Sequence, residues 1–436
     1  MKINYFRQAW SSIKQEPVVS AVSLAGTALA IFLIMVMVMI QQVKVAPFAP
    51  ESGRDRMLHV GFMSITNKDW GDTGVGDANN TSNGPMSYQT AVECFGNLMI
   101  PEAVTIYSSG CQSASVALPN SVTFTADCLG TDEKFWKVFD FTFLNGKPWD
   151  KATFDAGIPV AVIDENVARR LFGSTEVSGR EMLIDNAPFK VAGVVKPVST
   201  LARKAYAQVW TSLKAGNVVN NTWCSYMGGC SATILARDRA DFPEIRAEVE
   251  RLGKDFNRTI GEAGWRLIYR NRPYDQEKEA IAFSANLEPD VEQARHRRWM
   301  TYLILLLVPA VNLSSMTHSR LRQRVSEIAI RRAFGATRMR TIFNIVTENL
   351  IVTLIAGVIG LLLSVAVAFF FNDMLFSQEY TFTLVKPKVD LGMLIQWSTF
   401  GLALGFCFIL NLLSSGIPAI QAARIGLVNA LRGSQK

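Results

Sequence analysis

Four long apolar runs constrain this chain more than any other feature. They lie within residues 18–40, 299–317, 341–371 and 392–414. A helix needs about 20 mostly apolar residues to cross the hydrocarbon core of a bilayer, and we expect each run to do so. The second run is the weakest, because it contains Pro309 and Asn312. The pattern predicts four transmembrane helices with one large domain between the first and the second.

Basic residues flank these runs on one side. Residues 1–17, 318–340 and 414–436 carry net charges of +2, +6 and +3. Short loops rich in Lys and Arg are typical of the cytoplasmic side of a membrane. We therefore place both termini on the cytoplasmic side of a cytoplasmic (inner) membrane and residues 41–298 on its outer side. Arg295, Arg297 and Arg298 lie on the outer side and oppose this assignment locally. The basic residues adjoin apolar runs rather than a folded domain, which argues against a nucleic-acid partner.

The predicted organisation follows from these runs. We expect a cytoplasmic amphipathic helix at 1–17, transmembrane helix 1 at 18–40, an extracytoplasmic α/β domain at 41–284, a stalk helix at 285–298, transmembrane helix 2 at 299–317, a cytoplasmic coupling loop at 318–340, transmembrane helix 3 at 341–371, an outer loop at 372–391, transmembrane helix 4 at 392–414 and a cytoplasmic tail at 415–436. A plain cytoplasmic tail is the alternative for the first segment, and a broken linker is the alternative for the stalk.

The large outer domain has a mixed α/β pattern. Short strands are predicted at 104–107, 121–126, 160–163, 182–184 and 189–195, and helices at 164–172 and 242–256. The apolar face of the second helix is either a core face or a partner-binding seam. Residues 67–85 form a polar, glycine-rich stretch, for which we favour a flexible loop over a calcium site because the spacing of an EF-hand loop is missing.

Five of the six cysteines lie in this domain, which fits an oxidising compartment. The short spacing predicts a disulfide between Cys224 and Cys230. Cys111 and Cys128 flank a predicted hairpin and are a second candidate pair, which leaves Cys94 unpaired. Zinc is a poor alternative, because the chain has three histidines and no C-x-x-C spacing.

We find no catalytic motif in the sequence. It contains neither G-x-S-x-G, nor H-E-x-x-H, nor the phosphate-binding G-x-x-x-x-G-K-[ST]. We therefore expect no catalytic residue, no metal site and no cofactor, and we expect any ATP hydrolysis to take place on a partner chain.

Two cytoplasmic stretches carry a specific pattern. Residues 320–337 read RLRQRVSEIAIRRAFGAT, and residues 416–432 read GIPAIQAARIGLVNALR. Both resemble the motifs of the FtsX/MacB family of ABC-transporter permeases. The sequence departs from the family pattern at Gln323, where Glu is usual, at Ala329, where Gly is usual, and at Phe334, where Leu is usual. Residues 162–173 and 189–195 look like the periplasmic core domain of the same family.

The resemblance implies a permease subunit in which a short helix of the 318–340 loop docks on a separate ABC ATPase. The residues that it assigns to this contact are Arg324, Glu327, Ile328, Arg331, Arg332, Phe334 and Gly335. The alternative is a basic loop that binds anionic lipid. The implied partners are the ATPase, a second permease in a homodimer or heterodimer, membrane lipid, and an envelope adaptor or outer-membrane protein.

In the function that the resemblance implies, ATPase motion moves the outer domain and drives efflux or extrusion. Two alternatives share this architecture: an FtsX-like mechanical activator of an envelope hydrolase and a lipoprotein-releasing permease. We expect all three to place ATP hydrolysis on another chain.

Overall fold

The computed structural model describes residues 17–70, 80–216, 219–220, 222–323, 325–376, 383–394 and 397–424. These residues divide into two compact units. The helical unit contains residues up to Val43, Glu292–Leu375 and Val389 onward, and the α/β unit contains Lys44–Val291 and Phe376–Lys388. Of the predicted segments, residues 1–16, the centre of the glycine-rich stretch (71–79) and residues 425–436 lie outside the described part.

The helices are numbered in chain order. They are α1 (Pro17–Val45), α2 (Tyr88–Ala91), α3 (Phe135–Val138), α4 (Lys151–Asp155), α5 (Glu165–Phe172), α6 (Phe242–Gly261), α7 (Gln276–Ile281), α8 (Val291–Gln323), α9 (Val325–Ala333), α10 (Arg338–Phe370), α11 (Asn372–Phe376), α12 (Leu391–Leu394) and α13 (Trp397–Arg424).

The strands all belong to the α/β unit. They are β1 (Met57–Val60), β2 (Met63–Asn67), β3 (Ser82–Gly84), β4 (Ala103–Ser108), β5 (Gln112–Ala117), β6 (Phe124–Thr131), β7 (Phe143–Gly146), β8 (Val160–Asp164), β9 (Glu181–Ile184), β10 (Ala187–Val195), β11 (Val209–Ser212), β12 (Thr222–Trp223), β13 (Met227–Gly228), β14 (Cys230–Leu235), β15 (Trp265–Ile268) and β16 (Tyr274–Asp275).

Six of these strands close into a ring. Their order is β11-β8-β10-β9-β5-β6, and β6 pairs again with β11 in parallel register, Val209 opposite Cys128. Each of the six contributes apolar side chains to one buried cluster, which includes Val116, Ile163 and Val194. Because the strands form a closed ring, this shared cluster fills its interior. The path continues from β6 through β4, β14 and β1 to β16, and β15, β2 and β3 form a separate small sheet.

The predicted local elements of this unit are largely confirmed. The helix expected at 164–172 is α5, whose Asp164 Oδ1 accepts the backbone N–H of Val167 at 2.7 Å and so caps the first turn. The helix expected at 242–256 extends to Gly261, and its apolar face is buried in the core, so the core interpretation is confirmed. The strand expected at 121–126 begins later, at Phe124.

Neither predicted disulfide is formed in the structure, where all six cysteines are free thiols. The strand register pairs Gln112 with Cys128, so Cys111 lies one residue off and on the opposite face of the pleat. Cys111 donates from Sγ to the carbonyl of Tyr206 at 2.8 Å, whereas Cys128 packs against the cluster inside the ring. Cys230 is buried at the start of β14, and Cys224 lies half-buried in the turn between β12 and β13.

A buried ion pair follows α1 in the chain. Glu51 and Arg54 are each 2% exposed, and Nη2 of Arg54 lies 2.6 Å from Oε2 of Glu51. Burial acts to raise the pKa of Glu51, but the charge of Arg54 and the hydrogen bonds to the carboxylate outweigh it, so that the pKa is lowered. The carboxylate therefore stays ionised inside the unit.

A second buried polar group joins β1 to α7. Nε2 of His59 is 2.8 Å from Oε1 of Gln276, and burial together with the nearby charge of Lys204 lowers the pKa of His59 to about 4. Lys204 contacts Glu279 of α7 at 2.5 Å. Burial opposes ionisation of Glu279, but the Lys204 ammonium prevails, and the pKa of Glu279 is lowered to about 2.

Three helices of the described residues are long and apolar enough to cross a membrane: Ser20–Val45, Arg338–Phe370 and Ser398–Gln421. They correspond to predicted transmembrane helices 1, 3 and 4. The predicted second span lies in α8, which does not meet the same criterion, so the four-span count stays a prediction. Helix α8 runs unbroken from Val291 to Gln323, so a continuous helix leads into the predicted span, but the stalk helix expected at 285–298 begins only at Val291, because residues 285–290 are not helical.

The helical unit packs around small residues of α10. At Gly360 a Cβ atom would lie 2.6 Å from the carbonyl oxygen of Ala28 and 3.1 Å from Cβ of Ile31. The glycine therefore lets the backbone of α1 pack directly against the backbone of α10. Ile31, Tyr302 and Phe406 belong to the buried cluster that joins α1, α8 and α13.

Candidate ATPase-coupling segment

The candidate site is α9 together with the turn that follows it. Phe334 and Gly335 close the helix, with their N–H groups donating to the carbonyls of Ile330 and Arg332 at 3.1 Å each. Gly335 has φ +96°, a conformation that a residue with a Cβ rarely adopts, and it ends the helix. Thr337 then caps α10 by accepting the N–H of Arg340 at 3.3 Å.

One face of α9 packs inside the helical unit. Ala329 is buried, and Ile328 packs against a small apolar cluster formed by Leu321 of α8, Ile345 of α10 and Ala419 of α13. We expected Ile328 to offer apolar contact to a partner, but in the structure it faces this cluster. The cluster fixes the orientation of α9 on the helices that it connects.

The opposite face of α9 presents two large apolar side chains to solvent. Phe334 is 88% exposed and Ile330 is 49% exposed. They lie four residues apart, which places them on one helix face. Neighbouring exposed apolar side chains that form a patch are typical of a protein or membrane interaction site. The sequence contained this signal, since the i, i+4 spacing joins Phe334 to Ile330 and not to Ile328.

The charged members of the predicted set are only partly described. Arg324 lies outside the described residues, and so do the side chains of Glu327 and Arg331. Arg332 is half-buried. The structure therefore brings together Ile330, Phe334 and Gly335 on the exposed side of the turn, and the charge contacts of this loop stay a prediction.

The described residues include no group of three or more His, Cys, Asp and Glu side chains placed to hold a metal ion. Apolar helices that carry one large α/β unit are the architecture of a membrane protein with an extramembrane domain. The candidate site lies in the helical unit, on the connection between α8 and α10.

Two family models match the chain. The MacB-like periplasmic core domain matches residues 20–252, and the FtsX-like permease C-terminal domain matches residues 299–427. The first match covers more than half of the chain, which therefore belongs to the FtsX/MacB-like family of ABC-transporter permeases. Permeases of this family are generally non-catalytic transporter subunits that work with ABC ATPase partners.

Individual relatives are more distant. The chain is 24% identical over 325 residues to the macrolide export ATP-binding/permease protein MacB of Escherichia coli (strain K12). The match covers 72% of this chain and 44% of that protein, so the chain spans less than half the length of the curated relative.

Solved structures of extramembrane domains also match. The periplasmic region of MacB from Actinobacillus actinomycetemcomitans is 19% identical, with a TM-score of 0.32, covering 48% of this chain and 89% of that one. The extracellular domain of the ABC-type transporter YknZ from Gram-positive bacteria is 11% identical, with a TM-score of 0.33, covering 47% and 98%. The family match and the strand order define the fold of the α/β unit.

Proposed function

We propose that this chain is the permease subunit of an ABC transporter in an inner membrane, which converts the motion of a separate ATPase subunit into movement of the α/β unit and so drives efflux or extrusion. The observation that carries the proposal is α9. Its inner face is packed on three helices of the permease, while Ile330 and Phe334 point outward from the same short helix. A force applied to the outer face would therefore reach α8, α10 and α13 directly.

The membrane placement has independent support on α8. Leu303, Ile304 and Leu307 are each more than half exposed, although they are large aliphatic side chains. In water such a surface would be unfavourable by about 25 cal/mol for each Å² of apolar area. Lipid or a second permease, in a homodimer or a heterodimer, would cover it, and we propose α8 as the remaining transmembrane helix.

The matched relatives are named for macrolide export, and export of such a compound by this chain stays a proposal. An envelope adaptor or an outer-membrane partner belongs to the same proposal.

The test is loss of the exposed side chain. Phe334→Ala should weaken binding of the partner ATPase about 30-fold, since an exposed aromatic anchor of an interface contributes about 2 kcal/mol. The matched control is Phe370→Ala at the other end of α10, where the side chain is 85% exposed as well. Co-purification of the ATPase with the full-length permease measures the effect. Equal recovery with both variants would refute the docking assignment.

A second variant separates docking from lipid binding. Glu327→Lys reverses a charge in the predicted contact, and like charges at an interface can cost several kcal/mol. A docking loop should then lose ATPase binding and permease-dependent function. A lipid-binding loop should retain both, because the substitution adds a charge that anionic headgroups attract.

A further inference from the structure

One short segment of the α/β unit contacts every described stretch through which the chain continues into the helical unit. It consists of residues 199–206, Ser-Thr-Leu-Ala-Arg-Lys-Ala-Tyr, and lies between β10 and β11. We call it the junction segment. The three stretches are the residues that follow α1, the residues of α7 that precede α8, and residues 383–388, which lie between α10 and α13.

The first contact is with the stretch after α1. Oε1 of Glu51 accepts the backbone N–H groups of Lys204 and Ala205 at 2.8 and 3.1 Å. Nη2 of Arg54 donates to the carbonyl of Leu201 at 2.9 Å. Nη1 of the same arginine donates at 3.1 Å to the carbonyl of Ala46, the residue that directly follows α1. A single buried ion pair therefore joins Ala46, the residue after α1, to the junction segment.

The second contact is with α7. The ammonium of Lys204 lies 2.5 Å from Oε1 of Glu279, and the two side chains are 23% and 16% exposed. The ion pair is mostly screened from solvent, so its attraction is stronger than that of a surface pair. Lys204 thus uses its backbone to bind the stretch after α1 and its side chain to bind α7.

The third contact is with the connection between α10 and α13. Oγ of Ser199 donates to the carbonyl of Lys388 at 2.5 Å. At the other end of the junction segment, the Tyr206 hydroxyl donates to Oδ2 of Asp127 at 2.6 Å, and the same oxygen accepts the backbone N–H of Leu384 at 2.9 Å. The junction segment therefore binds this connection directly through Ser199 and indirectly through Tyr206, by way of the Asp127 carboxylate.

The junction segment is itself a fixed turn. The N–H groups of Ala205 and Tyr206 donate to the carbonyl of Ala202 at 3.1 and 2.7 Å, and Nε1 of Trp210 donates to the carbonyl of Ala205 at 3.0 Å. Ala202 and Ala205 are fully buried. The segment leads directly into β11, which pairs with both β8 and β6 and so closes the ring.

We propose that the junction segment is the element that receives displacement from all three connections and passes it to the ring of strands. The proposal rests on the proposed function, because it assigns residues to the step in which motion reaches the α/β unit. It differs from a purely structural role, since it requires that the hydrogen bonds of Ser199 and Tyr206 affect the response to nucleotide more than they affect stability.

The test compares two double variants that lose the same atoms. Ser199→Ala with Tyr206→Phe removes the direct hydroxyl contact of the junction segment to Lys388 and the hydroxyl that binds Asp127, the residue that accepts the N–H of Leu384. Ser178→Ala with Tyr269→Phe is the control, because these hydroxyls contact neither the junction segment nor the three stretches: Oγ of Ser178 donates to the carbonyl of Ala192 at 3.1 Å, and the Tyr269 hydroxyl lies 3.1 Å from Sγ of Cys94.

Each full-length protein is purified with its partner ATPase and examined by hydrogen exchange, without nucleotide and after trapping with ADP and vanadate. We expect trapping to change exchange in β6 and β11 of the wild type and of the control. In the junction variant the change should fall at least threefold, while the thermal midpoints of the two variants agree.

The outcomes separate the two proposals. A wild type without any nucleotide-dependent change in the α/β unit would overturn the proposed function. A normal wild-type change that persists in the junction variant would overturn the junction proposal alone. An equal loss in the junction variant and the control would also overturn it, because the effect would then be one of general stability.

Discussion

Replacing Arg54 by Met should destabilise the α/β unit far more than the same replacement at Arg56. The Arg54 side chain is buried with Glu51, and removal of one partner leaves the other charge unpaired in the interior, which costs about 3–5 kcal/mol. Arg56 pairs with Glu102 at 3.1 Å, but the two side chains are 37% and 35% exposed, and such a pair contributes at most about 1 kcal/mol.

The measurement is thermal unfolding of the full-length protein in detergent, followed by tryptophan fluorescence. For a unit of this size each kcal/mol shifts the midpoint by about 2–4 °C, so we expect a shift of roughly 6–20 °C for Arg54→Met and a few degrees for Arg56→Met. Adding Glu51→Gln to Arg54→Met should restore part of the loss, because the unpaired charge is then gone while an acceptor for the N–H groups of Lys204 and Ala205 remains. Equal shifts for the two single variants would refute the reasoning.

Two further predictions concern pH and helix packing. The pKa of His59 is about 4 in the folded protein against an ordinary value near 6.5, so the unfolded chain binds the extra proton, and about 3 kcal/mol of stability should disappear as the pH falls from 6.5 to 4. Measuring the free energy of unfolding of the wild type and of His59→Gln between pH 6.5 and pH 4 checks this prediction, and identical pH profiles of the two proteins would contradict it. Gly360→Leu should disrupt the packing of α1 on α10 and lower the midpoint of the helical unit, whereas Gly401→Leu, at a site with open space, should not; equal midpoints would argue against the close approach.

Local features of the fold were readable from the sequence, and long-range ones were not. Helix α5 follows from Asp164 as a cap and from the inward spacing of Val167 and Ala168. The closure of the ring depends on β11 pairing with β6, strands about 80 residues apart in the chain. No local pattern encodes such a pairing, and four residues such as Val209–Ser212 give a weak strand signal.

The buried polar groups could not be predicted from the sequence either. Glu51 and Arg54 are three residues apart, a spacing that ordinarily indicates a solvated pair. They are buried only because the junction segment, about 150 residues later in the chain, packs against them. At the candidate site the family motif located α9 correctly, but it did not tell which side of the helix packs inward. That depended on Leu321, Ile345 and Ala419, which come from three other helices.

The closed ring of strands also limits how another molecule can bind it. A strand with a free edge offers a row of backbone N–H and C=O groups to which an extended peptide can add. In the ring each of the six strands has neighbours on both sides, so this mode of recognition is blocked there. A partner of this unit would instead recognise side chains and loops at the rim of the ring, or pair with an end strand outside it, such as β16 of the large sheet or β15 of the small sheet. The same closure leaves the six strands of the ring without a free edge for edge-to-edge aggregation.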